Sequence, residues 1–154
     1  MTDLNHTLII GVGNDFRGDD CAGLEVARRL RALNLPGTVI TEHTGDGAAL
    51  MESWRAAGRV ILIDATQSGV APGIVHRLDA SAQTIPAAFF SYSTHAFSVA
   101  EAVEMARALG ELPPDLIIYG IEGTRFALGE ALSPEVEAAI TRVTDAVARD
   151  IRAH

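Results

Sequence analysis

Three residues of this 154-residue chain have types and positions that could do chemistry together: Asp20, Asp64 and His95. Asp64 ends the aliphatic run Val60-Ile61-Leu62-Ile63, and a buried carboxylate is costly unless it finds a partner or a metal. Asp20 closes the acid pair Asp19-Asp20, and His95 stands in Ser93-Thr94-His95-Ala96-Phe97. Two carboxylates and an imidazole form a mixed oxygen and nitrogen set that suits a first-row transition metal with open coordination positions. Each residue also has a plainer reading. An acid in the first turn of a helix stabilises the macrodipole and caps free amides, and a histidine beside a helix start is often a hydrogen-bonded structural or surface group. No short-range metal signature such as His-Glu-x-x-His occurs.

Other chemistries fit less well. Gly11-Val12-Gly13-Asn14-Asp15-Phe16 begins like a dinucleotide fingerprint, but Phe16 stands where the third glycine belongs. The loop also lacks the Lys-Ser or Lys-Thr of a phosphate cradle, and Asp15, Asp19 and Asp20 would repel a phosphate at that helix start. A cation suits it better. There is no Gly-x-Ser-x-Gly elbow for a nucleophilic serine. Cys21 lies at the expected helix start, where a thiol pKa can fall and His95 could serve as base, yet the flanking acids disfavour a thiolate. His6, His43, His76 and His154 show no partner pattern and read as surface or strand-end residues. His43 follows Glu42 at the site end of the second strand.

The elements that must position these groups alternate along the chain. Thr7 to Val12 is a β-branched run expected as a buried strand, followed by a loop. From Asp20 onward, Gly23, Val26, Ala27, Leu30 and Leu33 recur at helical spacing until Pro36-Gly37. Thr38–Glu42 reads as a second strand, Ala48–Ala57 as a helix and Arg59–Ala65 as a third strand. Ile74–Asp79 fits a short edge strand, and Ala80 to Thr94 a long loop. Val99, Ala102, Val103 and Ala106 mark a third helix, and Leu116–Ile121 a last buried strand. Ser133-Pro134 should cap a closing helix with Val136, Ile140, Val143, Val147 and Ile151 on one face. The expected fold is α/β: a single three-layer αβα sandwich over residues 1–154, its mostly parallel twisted sheet covered by helices on both faces. Such sheets place their sites at the carboxyl ends of the strands, where Asp20, Asp64 and His95 all fall.

Composition narrows the partners. Twelve Lys and Arg against twenty Asp and Glu leave a net charge of −8, which disfavours nucleic acid and anionic membranes. Apolar runs stay well below the ~20 residues of a membrane span, and Met1–Asn5 lacks the basic start of a secretory signal. One cysteine cannot form an internal disulfide, so a reducing compartment fits. The expectation is a cytoplasmic monomer.

The same residues carry a resemblance. Gly11-Val12-Gly13-Asn14, Asp19-Asp20 and Gly23 resemble the opening motif of the nickel-iron hydrogenase maturation endopeptidases. Thr44-Gly45-Asp46-Gly47, Ile63-Asp64-Ala65, Ser93-Thr94-His95, Tyr119-Gly120-Ile121-Glu122 and Ser133-Pro134-Glu135-Val136 resemble its later motifs in order, so that the likeness runs from Thr7 to about Ile151. Cys21 and Ala22 depart from it, since many members place a glycine there. Glu42 matches an acid that members carry at the end of the second strand, and on the resemblance alone it is a candidate neighbour of the site. The resemblance implies that Asp20, Asp64 and His95 contact a metal and are catalytic. It implies removal of a carboxyl-terminal extension from the hydrogenase large-subunit precursor after nickel insertion, with the nickel supplied by that substrate rather than held as a resident cofactor. The cut would fall just beyond the last nickel-ligating cysteine of the precursor. Either the metal polarises the carbonyl and activates a water, or it only signals readiness while Asp20 or Asp64 acts as general base. A nonenzymatic nickel-binding assembly chaperone for the same precursor is the alternative.

Overall fold

The computed structural model describes residues 6–55, 57–90, 95 and 97–153. The expectations for Met1–Asn5, Ser93-Thr94 and His154 lie outside the described residues.

Five strands form one sheet: β1 (Thr7–Val12), β2 (Thr38–His43), β3 (Arg59–Thr66), β4 (Val75–Asp79) and β5 (Asp115–Glu122), in the order β2-β1-β3-β5-β4. The first three and β5 pair in parallel, with Ile9 opposite both Ile40 and Ile61, and Asp64 opposite Gly120. β4 pairs antiparallel on the outer side of β5. A return to the parallel direction needs a crossover of about a dozen residues, usually a helix. The turn-rich stretch between β3 and β4 holds none, so the chain runs back down the edge.

Four helices cover the two faces: α1 (Ala22–Ala32), α2 (Gly47–Trp54), α3 (Val99–Leu109) and α4 (Pro134–Arg152). Successive residues of a strand point to opposite faces, so β3 divides its run between two cores. Ile61 and Ile63 join Ile9, Val26, Leu30, Ile140, Val143 and Val147 beneath α1 and α4. Val60 and Leu62 join Ile10, Leu50, Trp54, Val103 and Ile118 beneath α2 and α3. The five α4 residues expected to face inward are all buried.

Several boundaries differ from the sequence reading. α1 begins at Ala22, because Gly18–Cys21 first makes a 3-10 turn entered through a left-handed Gly18 (φ 57°). α2 covers Gly47–Trp54, since Arg55 turns to an extended ψ of 129° that leads into β3. The loop after β4 carries a 3-10 turn, Ala87–Phe90, whose Phe90 is buried in the second core. Ser133 and Pro134 take the expected N-cap and first-turn positions of α4, but the Ser133 hydroxyl makes no capping bond. It donates to Asp19 instead.

Candidate active site

The chain leaves β1 towards β2 on one side and towards β3 on the other, and open α/β sheets bind ligands in the crevice at such a switch point. A cavity of about 590 Å³ opens there, and Asp20, Asp64 and His95 all line it. Asn14, Asp15, Arg28, Glu42, Phe16 and Phe126 contribute further to its wall. The sequence therefore selected three residues that the fold brings to one place. Among the described residues, no three His, Cys, Asp or Glu side chains approach closely enough to hold a metal ion by themselves.

Each of the three is positioned by a different device. Asp64 is 3% exposed within the last turns of β3, and its Oδ1 accepts the Ala65 N–H at 2.8 Å. Asp20 is 9% exposed and belongs to the 3-10 turn, and Cys21 rather than Asp20 takes the N-cap position of α1. Its turn folds back on β1, where the Asn14 N–H donates to the Asp20 carbonyl at 3.2 Å. Gly13 makes that approach possible, because a Cβ there would overlap the Asp20 carbonyl oxygen. The second glycine of the apparent fingerprint thus serves packing. His95 is tied to the loop after β2, its Nε2 lying 3.1 Å from the Thr44 carbonyl oxygen. A carbonyl only accepts, so the neutral ring carries its proton on Nε2 and its lone pair on Nδ1. Two residues on, the Phe97 carbonyl accepts the Gly47 N–H at 2.8 Å, which joins the His95 segment to the start of α2.

The cavity mouth holds a clasp with no signature in the sequence. The Arg28 guanidinium grips Asp15 through both terminal nitrogens (2.8 and 2.9 Å) and Glu42 through Nε (3.1 Å) and a terminal nitrogen (2.8 Å). Arg31 adds a bond to the other Glu42 oxygen at 3.0 Å. Hydrogen bonds from Arg31 and Arg28 hold the Glu42 carboxyl below its usual range, and Arg28 does the same to Asp15. Of the four carboxylates lining the cavity, Arg28 occupies these two at the rim. Glu42 is therefore a neighbour of the site, as expected, but as part of an ion-pair network.

Cys21 does not meet the requirements of a nucleophile. Burial, then the charges of Asp15 and Glu25, push its thiol up to about 11. At pH 8 only a fraction on the order of 10⁻³ is thiolate, against roughly a quarter for an ordinary thiol. Alkylation of Cys21 by iodoacetamide at pH 8 should run on the order of 10²-fold slower than that of a free cysteine. Mass spectrometry of the time course checks this, and a fast reaction would return the thiol to consideration. His43 is half-buried with its ring nitrogen 2.6 Å from the Ser53 hydroxyl, and burial lowers its pKa.

His76, read as a surface or strand-end residue, lies near the start of β4 and has partners that the sequence did not announce. Its Nε2 lies 3.2 Å from Glu122, and its ring packs on Phe89 with centroids 4.7 Å apart. Glu122, 1% exposed at the end of β5, also accepts from the Thr66 and Ser68 hydroxyls and from the Ser68 and Gly69 amides. Burial raises this carboxyl, yet the donors from Ser68, Thr66 and His76 outweigh it and the net shift is downward. A carboxyl with a depressed folded-state pKa stabilises fully above its unfolded value and loses that contribution as pH falls through the folded one. The wild type should therefore lose stability below about pH 4 with a steeper slope than Glu122→Gln, and the variant should be about 2 kcal/mol less stable at pH 7. Urea unfolding across pH 2 to 7 reads both effects. Identical slopes in the two proteins would rule out Glu122 as the source.

An open α/β sheet whose switch-point crevice is lined by two carboxylates and an imidazole defines an α/β protein with its site at the carboxyl ends of the strands. Residues 25–150 match the family model of the hydrogenase maturation proteases, described as HycI, and the chain belongs to that family of endopeptidases. It is similar to a Methanocaldococcus jannaschii protein whose name places it among the hydrogenase maturation proteases, 24% identical over 151 residues, which are 94% of this chain and 96% of that one. The fold is shared with the [NiFe] hydrogenase maturation protease HycI from Thermococcus kodakarensis, at a TM-score of 0.73 and 23% identity over 96% of this chain and 93% of that one. It is shared likewise with the hydrogenase maturating endopeptidase HybD from Escherichia coli, at a TM-score of 0.75 and 23% identity over 96% and 92%.

Proposed function

We propose that this protein removes the carboxyl-terminal extension of a nickel-iron hydrogenase large-subunit precursor once nickel has been inserted. The observation that carries the reading is the convergence of Asp20, Asp64 and His95 on one cavity at the switch point of a hydrogenase maturation protease fold. Nickel enters as part of the substrate, its remaining ligands coming from the precursor. Two carboxylates favour a cation over an anion, and the lone pair on His95 Nδ1 is a fitting donor for a first-row metal.

Peptide hydrolysis adds one water across one C–N bond. The water oxygen bonds to the scissile carbonyl carbon, its proton passes to a carboxylate, and the departing amine takes a proton as the bond breaks. The products are a new carboxyl terminus and a free tail. Nickel bridging enzyme and precursor would align that bond over the cavity, with Asp20 or Asp64 as the general base.

The test mixes purified protein with a large-subunit precursor, with and without inserted nickel, and weighs the products. Loss of a carboxyl-terminal peptide from the nickel-loaded form alone is the expected result. A stable complex whose precursor keeps its full mass would point instead to an assembly chaperone using the same residues.

A further inference from the structure

Asp19, the neighbour of Asp20, is 0% exposed and does not line the cavity. A buried carboxylate is tolerated only when donors replace its lost water, and Asp19 collects them from a single distant strip of chain. Its Oδ2 accepts the Thr124 N–H at 2.8 Å and the Arg125 N–H at 2.9 Å. Its Oδ1 accepts the Ser133 N–H at 2.8 Å, and the Ser133 hydroxyl lies 3.0 Å from both oxygens. The Asp19 N–H in turn donates to the Arg125 carbonyl at 2.7 Å. A Cβ added at Gly123 would come within 2.8 Å of both the Asp19 Cβ and the Phe126 ring, so the strip wraps closely around this side chain.

The strip it gathers forms part of the cavity wall. Phe126 lines the cavity, and the Gly129 N–H donates at 2.8 Å to the carbonyl of Phe16, which lines it too. Phe16 and Leu128, 73% and 67% exposed, have the highest exposures among the large apolar residues described as exposed. Two loops more than 100 residues apart in sequence are thus tied together beside Asp20, with the Asp19 carboxylate at their junction and Phe16 and Phe126 on the cavity wall.

We infer that Asp19 is a positioning residue: it pre-forms the Phe16 and Phe126 wall against which the substrate chain lies when its scissile bond is presented to Asp20 and Asp64. The inference rests on the endopeptidase reading of the cavity and extends it to how the peptide is seated. Asp19→Asn keeps the size of the side chain but replaces one oxygen by an NH₂ group. That group must face either the Thr124 and Arg125 amides or the Ser133 amide, donor against donor.

Two measurements on Asp19→Asn test this. In hydrogen exchange of the free protein, amides of residues 124–133 should exchange at least about 10-fold faster while those of β1, β3 and β5 keep wild-type rates. In processing of nickel-loaded precursor, KM should rise by about 10-fold or more with kcat within about 3-fold of wild type. Unchanged exchange in 124–133 would overturn the inference. So would faster exchange with wild-type KM, which would leave Asp19 a purely structural role, or a fall in kcat alone, which would put it among the reacting groups. If Asp19→Asn does not fold, Ser133→Ala retains the carboxylate and every backbone donor, and it must show the same pattern in smaller measure. Wild-type behaviour in that variant also overturns the inference. The exchange arm needs no substrate, so a wild type that processes nothing would sink the endopeptidase reading separately from the Asp19 linkage.

Discussion

Asp64→Asn and His95→Ala should each slow processing of a nickel-loaded precursor by at least about 10²-fold, the scale expected for losing a general base or a group that orients the reacting bond. Asp64→Asn is the cleaner of the two. Asparagine matches the aspartate in shape and retains an oxygen to accept the Ala65 N–H, so the end of β3 keeps its local bond. What goes is a negative charge at a site 3% exposed, with the size of the side chain kept. Lost activity with an unchanged unfolding midpoint would therefore locate the effect in chemistry or metal contact. His95→Ala breaks the link to Thr44 as well as the imidazole, so His95→Gln should accompany it: a side-chain amide can still donate to that carbonyl but offers no basic nitrogen. Single-turnover kinetics with product masses gives the rates. Wild-type processing by Asp64→Asn, His95→Ala and Asp20→Asn together would remove these residues from the active site.

Gly23→Ala should be among the most damaging single methyl groups added to this protein, with a cost of about 3 kcal/mol or more. A Cβ at Gly23 would overlap the carbonyl oxygens of Ile63 and Val12. These are backbone atoms of β3 and β1, Ile63 paired with Gly11 and Tyr119 and Val12 with His43, and they cannot swing away as a flexible side chain could. The only relief is for α1 to lift off the sheet. That movement carries the 3-10 turn with Asp20 away from Asp64, so activity should fall together with stability. Chemical denaturation reports the first and the processing assay the second. A fully stable, fully active Gly23→Ala protein would mean that the helix does not sit as close to the sheet as described.

The reading of the chain was most successful where the signal is local. Hydrophobic period decides strand or helix within a window of a few residues, and β1 and the inward face of α4 emerge from it, while the edge position of β4 was read without its antiparallel direction. Asp64 was legible for the same reason, as an acid closing an aliphatic run. Helix starts were less legible, because the turn at Gly18–Cys21 owes its form to contacts across the chain: the Asp19 N–H reaches Arg125, and Gly18 lies against the Arg125 backbone. His76 and Arg28 were passed over since nothing near them in sequence announces Glu122, Asp15 or Glu42. Ser133 was read as a helix cap from its place before Pro134, which is correct for its backbone, while its hydroxyl is drawn to a carboxylate 114 residues away.

Composition and periodicity were thus enough for an α/β sandwich, for its parallel core, and for three residues at the carboxyl edge of the sheet. Those properties follow from burial, which each short segment expresses in its own pattern of apolar and polar residues. The order β2-β1-β3-β5-β4, the assignment of α1 and α4 to one face, the Arg28 clasp and the partners of the buried carboxylates Asp19 and Glu122 were decided only by the assembled fold. A charged group taken out of water must find its partners wherever packing delivers them. For Asp19 and Glu122 they arrive from strands and loops that meet only after the sheet has closed.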